Sequence, residues 1–185
     1  MMNCLAHEQT ILRKLGPARY APRVAAYGLT LLVLLISCSE PPPTRLTGTV
    51  ASPEVVCQKV LNALAANDTL AMGQLILTRF EHDSVLVPTM PLPPPGVERD
   101  MNMAWLMLYE QNVKGIRRAF ENYGGRRFSL VSVKFTKPDK PFGELRAHQG
   151  TVVTVHDSTG NDVVLPIFGS ILEDHGRFKL VSLRD

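Results

Sequence analysis

The sequence lacks most of the signatures that announce chemistry. It has no Gly-x-Ser-x-Gly, which removes the nucleophile elbow of an α/β-hydrolase. It has no His-Glu-x-x-His and no close histidine pair, so no zinc motif can be read from it. A glycine-rich phosphate loop and a dinucleotide fingerprint are also missing. Cysteine is scarce, with Cys4, Cys38 and Cys57 the only three in 185 residues. No uncharged apolar run reaches spanning length. The longest, residues 24–36 (VAAYGLTLLVLLI), would be about 20 Å as a helix, against the roughly 30 Å of a bilayer core.

The formal charge of +3 belongs to the first residues of the chain. Arg13, Lys14, Arg19 and Arg23 stand before residue 38 with only Glu8 against them; from Cys38 onward, 16 Lys and Arg face 16 Asp and Glu. That balance gives no reason to expect a nucleic-acid partner. The basic cluster that is left, Arg117, Arg118, Arg126 and Arg127, is interrupted by Glu121 and apolar residues.

A basic stretch followed by a short apolar run is the pattern of a secretory leader. The run ends in Leu35-Ile36-Ser37-Cys38, which resembles the lipobox of bacterial lipoproteins. That resemblance implies cleavage before Cys38, a diacylglyceryl group on its thiol and usually acylation of the new amino terminus. Two or three chains hold a protein stably where one binds reversibly. Residue 39 is Ser rather than Asp, which by the same resemblance implies the outer membrane of a two-membrane cell, on its periplasmic face. Residues 1–37 are therefore expected to be a signal peptide. Cys57 is then the sole free thiol, and no intrachain disulfide can form. Residues 38–51, rich in Pro, Thr, Ser and Gly, are expected to be a flexible tether.

Residues 52–185 are enough for one hydrophobic core. Ser52 suits a helix cap and Pro53 the first helical position. Val56, Cys57, Val60, Leu61 and Leu64 form a helical stripe. Asp68 can cap a second helix, whose apolar side is expected to include Leu70, Leu75, Ile76, Leu77 and Phe80. Residues 87–96 carry too many prolines for a helix or a central strand. A third helix is expected over 98–122, with Leu106, Tyr109, Val113, Ile116 and Phe120 on one face turned toward the core, and with Gly124-Gly125 ending it. The period then changes to that of strands at 128–135, 145–156, 163–172 and 178–183, linked by turns at 157–161 and 174–176. Gly150, Pro166 and Gly169 fit regular strands poorly and are expected to mark bends or bulges.

Helices followed by an antiparallel meander give an α+β domain. The order of elements, the long third helix and the closing Gly176-Arg177-Phe178-Lys179-Leu180-Val181 resemble the NTF2-like (cystatin-like) cone. That resemblance implies a bent sheet wrapped round a helix; the proline-rich loop at 88–95 departs from the usual short connection of that family and is expected to cover the mouth of the cone. A pocket, if the cone holds one, is expected at Tyr109, Leu106 and Val113. Cys57 is expected to be buried and inert. His82, His148, His156 and His175 are expected on the surface or in turns; on a straight strand His148 and His156 would stand about 26 Å apart, too far to share an ion. Glu81-His82-Asp83 could line an opening. No catalytic, cofactor or metal residue is assigned. The function expected is a membrane-tethered, non-enzymatic module, structural or binding, with a small apolar ligand or an envelope protein as partner. The alternative is an NTF2-like enzyme of hydrolase or isomerase type, marked by two polar groups in hydrogen-bond reach facing a cavity.

Overall fold

The computed structural model describes residues 45–184. The lipobox and the leader lie outside them. Among the described residues, no helix is long and apolar enough to cross a membrane.

The chain is α+β. Helix α1 spans Pro53–Ala66, with the Ser52 hydroxyl accepting from Val55 N and Pro53 at its start. It buries Val56, Cys57, Val60, Leu61 and Leu64, the stripe read from the sequence. Helix α2, Thr69–Leu75, is capped by Asp68, which accepts from Ala71 N at 2.8 Å. The second helix expected from the sequence is broken here. Ile76 leaves the helix in an extended conformation, and Thr78 opens a new turn, α3, Arg79–Glu81. Thr78 and Glu81 cap one another's backbone in a capping box, and that local bond set competes with continuation of α2. As a result Met72, Ile76 and Leu77 are buried, whereas Leu70 and Phe80 are 73% and 54% exposed. A π-helical turn at His82–Leu86 and a 3₁₀ turn at Val87–Thr89 lead into the proline-rich loop. Helix α4, Met101–Tyr123, is capped by Asp100 and ends at Gly124.

Seven strands form two antiparallel sheets: β1 Ser129–Phe135, β4 Thr151–His156 and β5 Asp162–Leu165 in one, in the order β1-β4-β5, and β2 Lys140–Phe142, β3 Leu145–His148, β6 Ile171–Asp174 and β7 Arg177–Leu180 in the other, in the order β2-β3-β6-β7. The chain alternates between the two sheets. The chain passes from one to the other at 136–139, at 149–150 and at 166–170. Gly150 takes φ +67° at the second passage, a conformation that side chains disfavour. At the third, Pro166 ends β5, and a Cβ on Gly169 would stand 2.3 Å from Ser182 Oγ and 2.5 Å from its carbonyl oxygen. The bends expected at Gly150, Pro166 and Gly169 are the junctions between the sheets.

Two apolar clusters fill the domain. The larger joins α1, Met72 and Ala119 to the three-stranded sheet, Phe168, Ile171, Leu180 and Leu183. The smaller holds Leu46, Leu77, Val85, Leu86, Leu145, Ala147 and Leu172. Leu46 in that cluster corrects the expected tether. Val50 exchanges backbone hydrogen bonds with Phe178, and Leu46 N donates to Asp174 Oδ2 at 3.1 Å. Residues 46–50 are thus docked on β6 and β7. Composition suggested a free linker because proline, threonine and glycine outnumber the two apolar residues that do the docking.

Helix α4 also differs from expectation. Leu106, Tyr109 and Val113 are 50%, 53% and 46% exposed, and the fully buried positions are Asn112, Gly115 and Ala119. The buried face is rotated by about one residue, roughly 100°, from the apolar stripe. Small side chains let the helix lie close against residues 181–184, where Asn112 Nδ2 donates to Val181 O at 3.1 Å and Asn112 Oδ1 accepts from Leu183 N at 2.9 Å. Only the end of the stripe, Ile116 and Phe120, packs on the core.

Candidate functional site

Between α4 and the four-stranded sheet lies a cavity of about 280 Å³. Leu86 and Met90 line it on the side of the proline-rich loop, Ala104 and Leu108 come from α4, Phe142, Ala147 and Leu172 come from the sheet, and Val181 follows β7. Its polar lining is His82, Gln149 and Ser170. A mostly apolar concavity with a few polar groups is the usual form of a small-molecule site.

His82 was expected at the surface, but it is only 3% exposed. The π-helical turn that follows α3 carries it inward. Its Nδ1 is 2.7 Å from Asp83 Oδ1, and its ring lies 5.5 Å from that of Trp105 on α4. The hydrogen bond with His82, with smaller help from Arg79, holds the Asp83 carboxyl below its ordinary value. The Asp83 side chain is itself 42% exposed and does not line the cavity.

Tyr109 and Val113 do line a hollow, but on the other side of α4. It is an open groove of about 200 Å³ shared with Ile76, Leu77, Trp105 and Ile116. Leu106 lines neither space. The three residues expected to form an interior pocket are therefore on the outer face, while the exposed Ala104 and the partly buried Leu108 line the cavity on the sheet side. A wider hollow of about 520 Å³ among the turns of Arg126, Arg127 and Asp157 is a surface dip. The Asp157 carboxylate there is occupied by Thr159 and Asn161, and the hydrogen bond from the Thr159 hydroxyl leads in lowering its pKa.

Below the cavity, Glu81 and Lys179 form an ion pair 1% and 3% exposed. Lys179 Nζ donates to both carboxylate oxygens at 2.8 Å and to Thr47 O at 2.8 Å. Thr47 donates to Oε1 through its backbone and hydroxyl, and Thr78 does the same to Oε2. Burial pushes the Glu81 carboxyl up, but the Lys179 ammonium and the Thr78 and Thr47 hydrogen bonds outweigh it and hold it at about 2. Every oxygen is saturated, so the pair fastens residues 46–50 to α3 and β7 and leaves no group for a ligand. The sequence carried two traces of it: the Thr78-x-x-Glu81 capping box, and a lysine between Phe178 and Leu180 in the last strand.

His148 is also buried, against expectation. Its Nδ1 meets Asp139 at 2.8 Å and its Nε2 meets Glu173 at 3.0 Å, with Phe135 stacked on the ring. Both nitrogens are used to tie the β1–β2 connection to β6. His156 and His175 are exposed, as expected. No group of three or more metal-ligating side chains gathers among the described residues. Cys57 is fully buried, and its burial, with Glu54 nearby, pushes the thiol up to about 12. Cys38 lies outside the described residues. Neither a family model, nor a curated protein, nor a solved structure matches this chain.

Proposed function

We propose that this chain is a lipid-anchored, extracytoplasmic binding module, held to the outer membrane through Cys38, whose domain is an NTF2-like cone with a small apolar molecule in the open cavity between α4 and the four-stranded sheet. The observation that carries the binding reading is the cavity of about 280 Å³ between α4 and the four-stranded sheet, apolar but for His82, Gln149 and Ser170. The cone reading is supported by the three chain passages that fold one meander into two sheets. The anchor reading is supported by the basic flank, the short apolar run and Leu35-Ile36-Ser37-Cys38. Docking of Leu46 shortens the leash. Eight steps separate Cys38 from Leu46, a reach of at most about 28 Å, so the domain is kept close to the bilayer surface.

Intact-mass measurement of the protein extracted from membranes tests the anchor: residues 1–37 should be lost and a lipid mass gained, and a protein that keeps residues 24–36 contradicts it. Trp105, the single tryptophan, lies against His82 and itself lines the outer groove, so its emission reports a ligand at either place and a variant at the cavity tells the two apart. Titration with propylcyclohexane should change its emission saturably. Ala104→Phe, at a residue that lines the cavity and is itself exposed, should weaken that response at least ten-fold by covering the opening. An equal response in both proteins, or none in the wild type, removes the binding reading.

A further inference from the structure

We propose that the cavity selects an apolar molecule bearing a hydroxyl group, an alcohol or phenol, and that His82 Nε2 accepts the hydrogen bond from that hydroxyl. This deepens the binding reading above and rests on it.

The tautomer of His82 follows from its partner. Nδ1 lies 2.7 Å from Asp83 Oδ1, and an ionised carboxylate can only accept, so Nδ1 carries the hydrogen. In a neutral imidazole the other nitrogen is then a bare acceptor. Nε2 makes no hydrogen bond among the described residues, and no buried side-chain nitrogen or oxygen among them lacks a partner, so we take Nε2 to reach accessible space. The His82 side chain is 4% exposed and lines the cavity, and the cavity is the space we assign to Nε2. Trp105 backs the ring at 5.5 Å, and Asp83 fixes its rotation, which gives the lone pair a set direction.

An apolar cavity with an acceptor held in a fixed direction, beside the Gln149 and Ser170 side chains that also line it, discriminates between ligands of the same shape. A hydrocarbon dehydrates Nε2 and returns nothing for it. A carboxylate brings a second negative charge toward Asp83, and an ammonium group must shed its hydration among Leu86, Leu108 and Leu172. A hydroxyl supplies the donor at little desolvation cost.

The test uses the mature full chain in detergent, with Trp105 emission as the readout. The probes are 2-cyclohexylethanol and its isostere propylcyclohexane, which has a methyl group in place of the hydroxyl. Ratios of variant to wild-type affinity for one probe cancel its partition into detergent. His82→Phe keeps a ring against Trp105 and should weaken the alcohol roughly five-fold, the worth of one hydrogen bond, while changing propylcyclohexane less than two-fold. Asp83→Ala, at a half-exposed site, frees the tautomer and should weaken the alcohol alone in the same sense; it decides the matter should His82→Phe fail to fold. If both probes bind and neither variant separates them, the hydroxyl proposal is overturned while the cavity reading stands. If neither probe binds the wild type, or Ala104→Phe binds both as well as the wild type, the cavity reading itself has failed.

Discussion

The buried polar groups of this domain each answer to a partner, and the Glu81–Lys179 pair shows what depends on that. Removing one member of a buried pair leaves an uncompensated charge, at a cost of about 3–5 kcal/mol. Lys179→Met should therefore be strongly destabilising in urea unfolding. Lys179→Met with Glu81→Leu should recover much of the loss, because neither charge is then buried. The pH dependence has a definite sign. Glu81 is held at about 2, below its ordinary 4.5, so its contribution is fully present above about pH 5 and is lost as pH falls through 4.5 toward 2. On the order of 3 kcal/mol is involved. A stability profile flat from pH 5 down to 2 in the wild type would contradict this. Cys57, fully buried with its thiol pushed up to about 12, should resist a thiol reagent at pH 8 in the native protein and react at once in urea. Tyr109, about half exposed on the outer groove, should tolerate Tyr109→Phe within about 0.5 kcal/mol, with no change in ligand binding.

At the level of elements, the close approach of α4 to residues 181–184 depends on Gly115. A Cβ there would stand 2.9 Å from Arg184 O and 2.9 Å from Leu183 Cβ, and the Asn112 hydrogen bonds hold that segment in place. Helix propensity alone favours alanine by about 1 kcal/mol, whereas overpacking costs about 1–3 kcal/mol. Gly115→Ala should therefore lower the melting temperature; a rise would show that residues 181–184 yield freely. This helix is also where sequence reading was least successful. Its end and 3.6-residue period were legible, since Gly124 and the apolar spacing are local signals; its start was read at residue 98, three residues ahead of Met101, where Asp100 caps it. Which face turned inward was not, because Leu106, Tyr109 and Val113 make a better apolar stripe than Asn112, Gly115 and Ala119. The deciding contacts, to Val181 and Leu183, lie some 70 residues away in the chain. Gly150, Pro166 and Gly169 were legible for the opposite reason. Each is a local misfit to a strand, and each sits where the chain leaves one sheet for the other.

For the molecule as a whole, the α+β class followed from the change of period after Gly125, but the cavity did not. It is assembled from five separated stretches, and His82 was hidden as part of a polar cluster at a helix end. The docking of residues 46–50 was hidden in the same way, since its main partners are Glu81, Asp174, Phe178 and Lys179. These long-range pairings put residues 46–50 in the same body as the proposed ligand site. The central claim is that the cavity between α4 and the four-stranded sheet, not the groove on the other side of α4, takes an apolar molecule. Methyl NMR of the mature protein titrated with propylcyclohexane reads the two places separately. Saturable shifts at Leu86, Leu108, Leu172 and Val181, with Val113 unmoved, are the predicted result; shifts confined to Val113 and Ile116, or none that saturate, would contradict it.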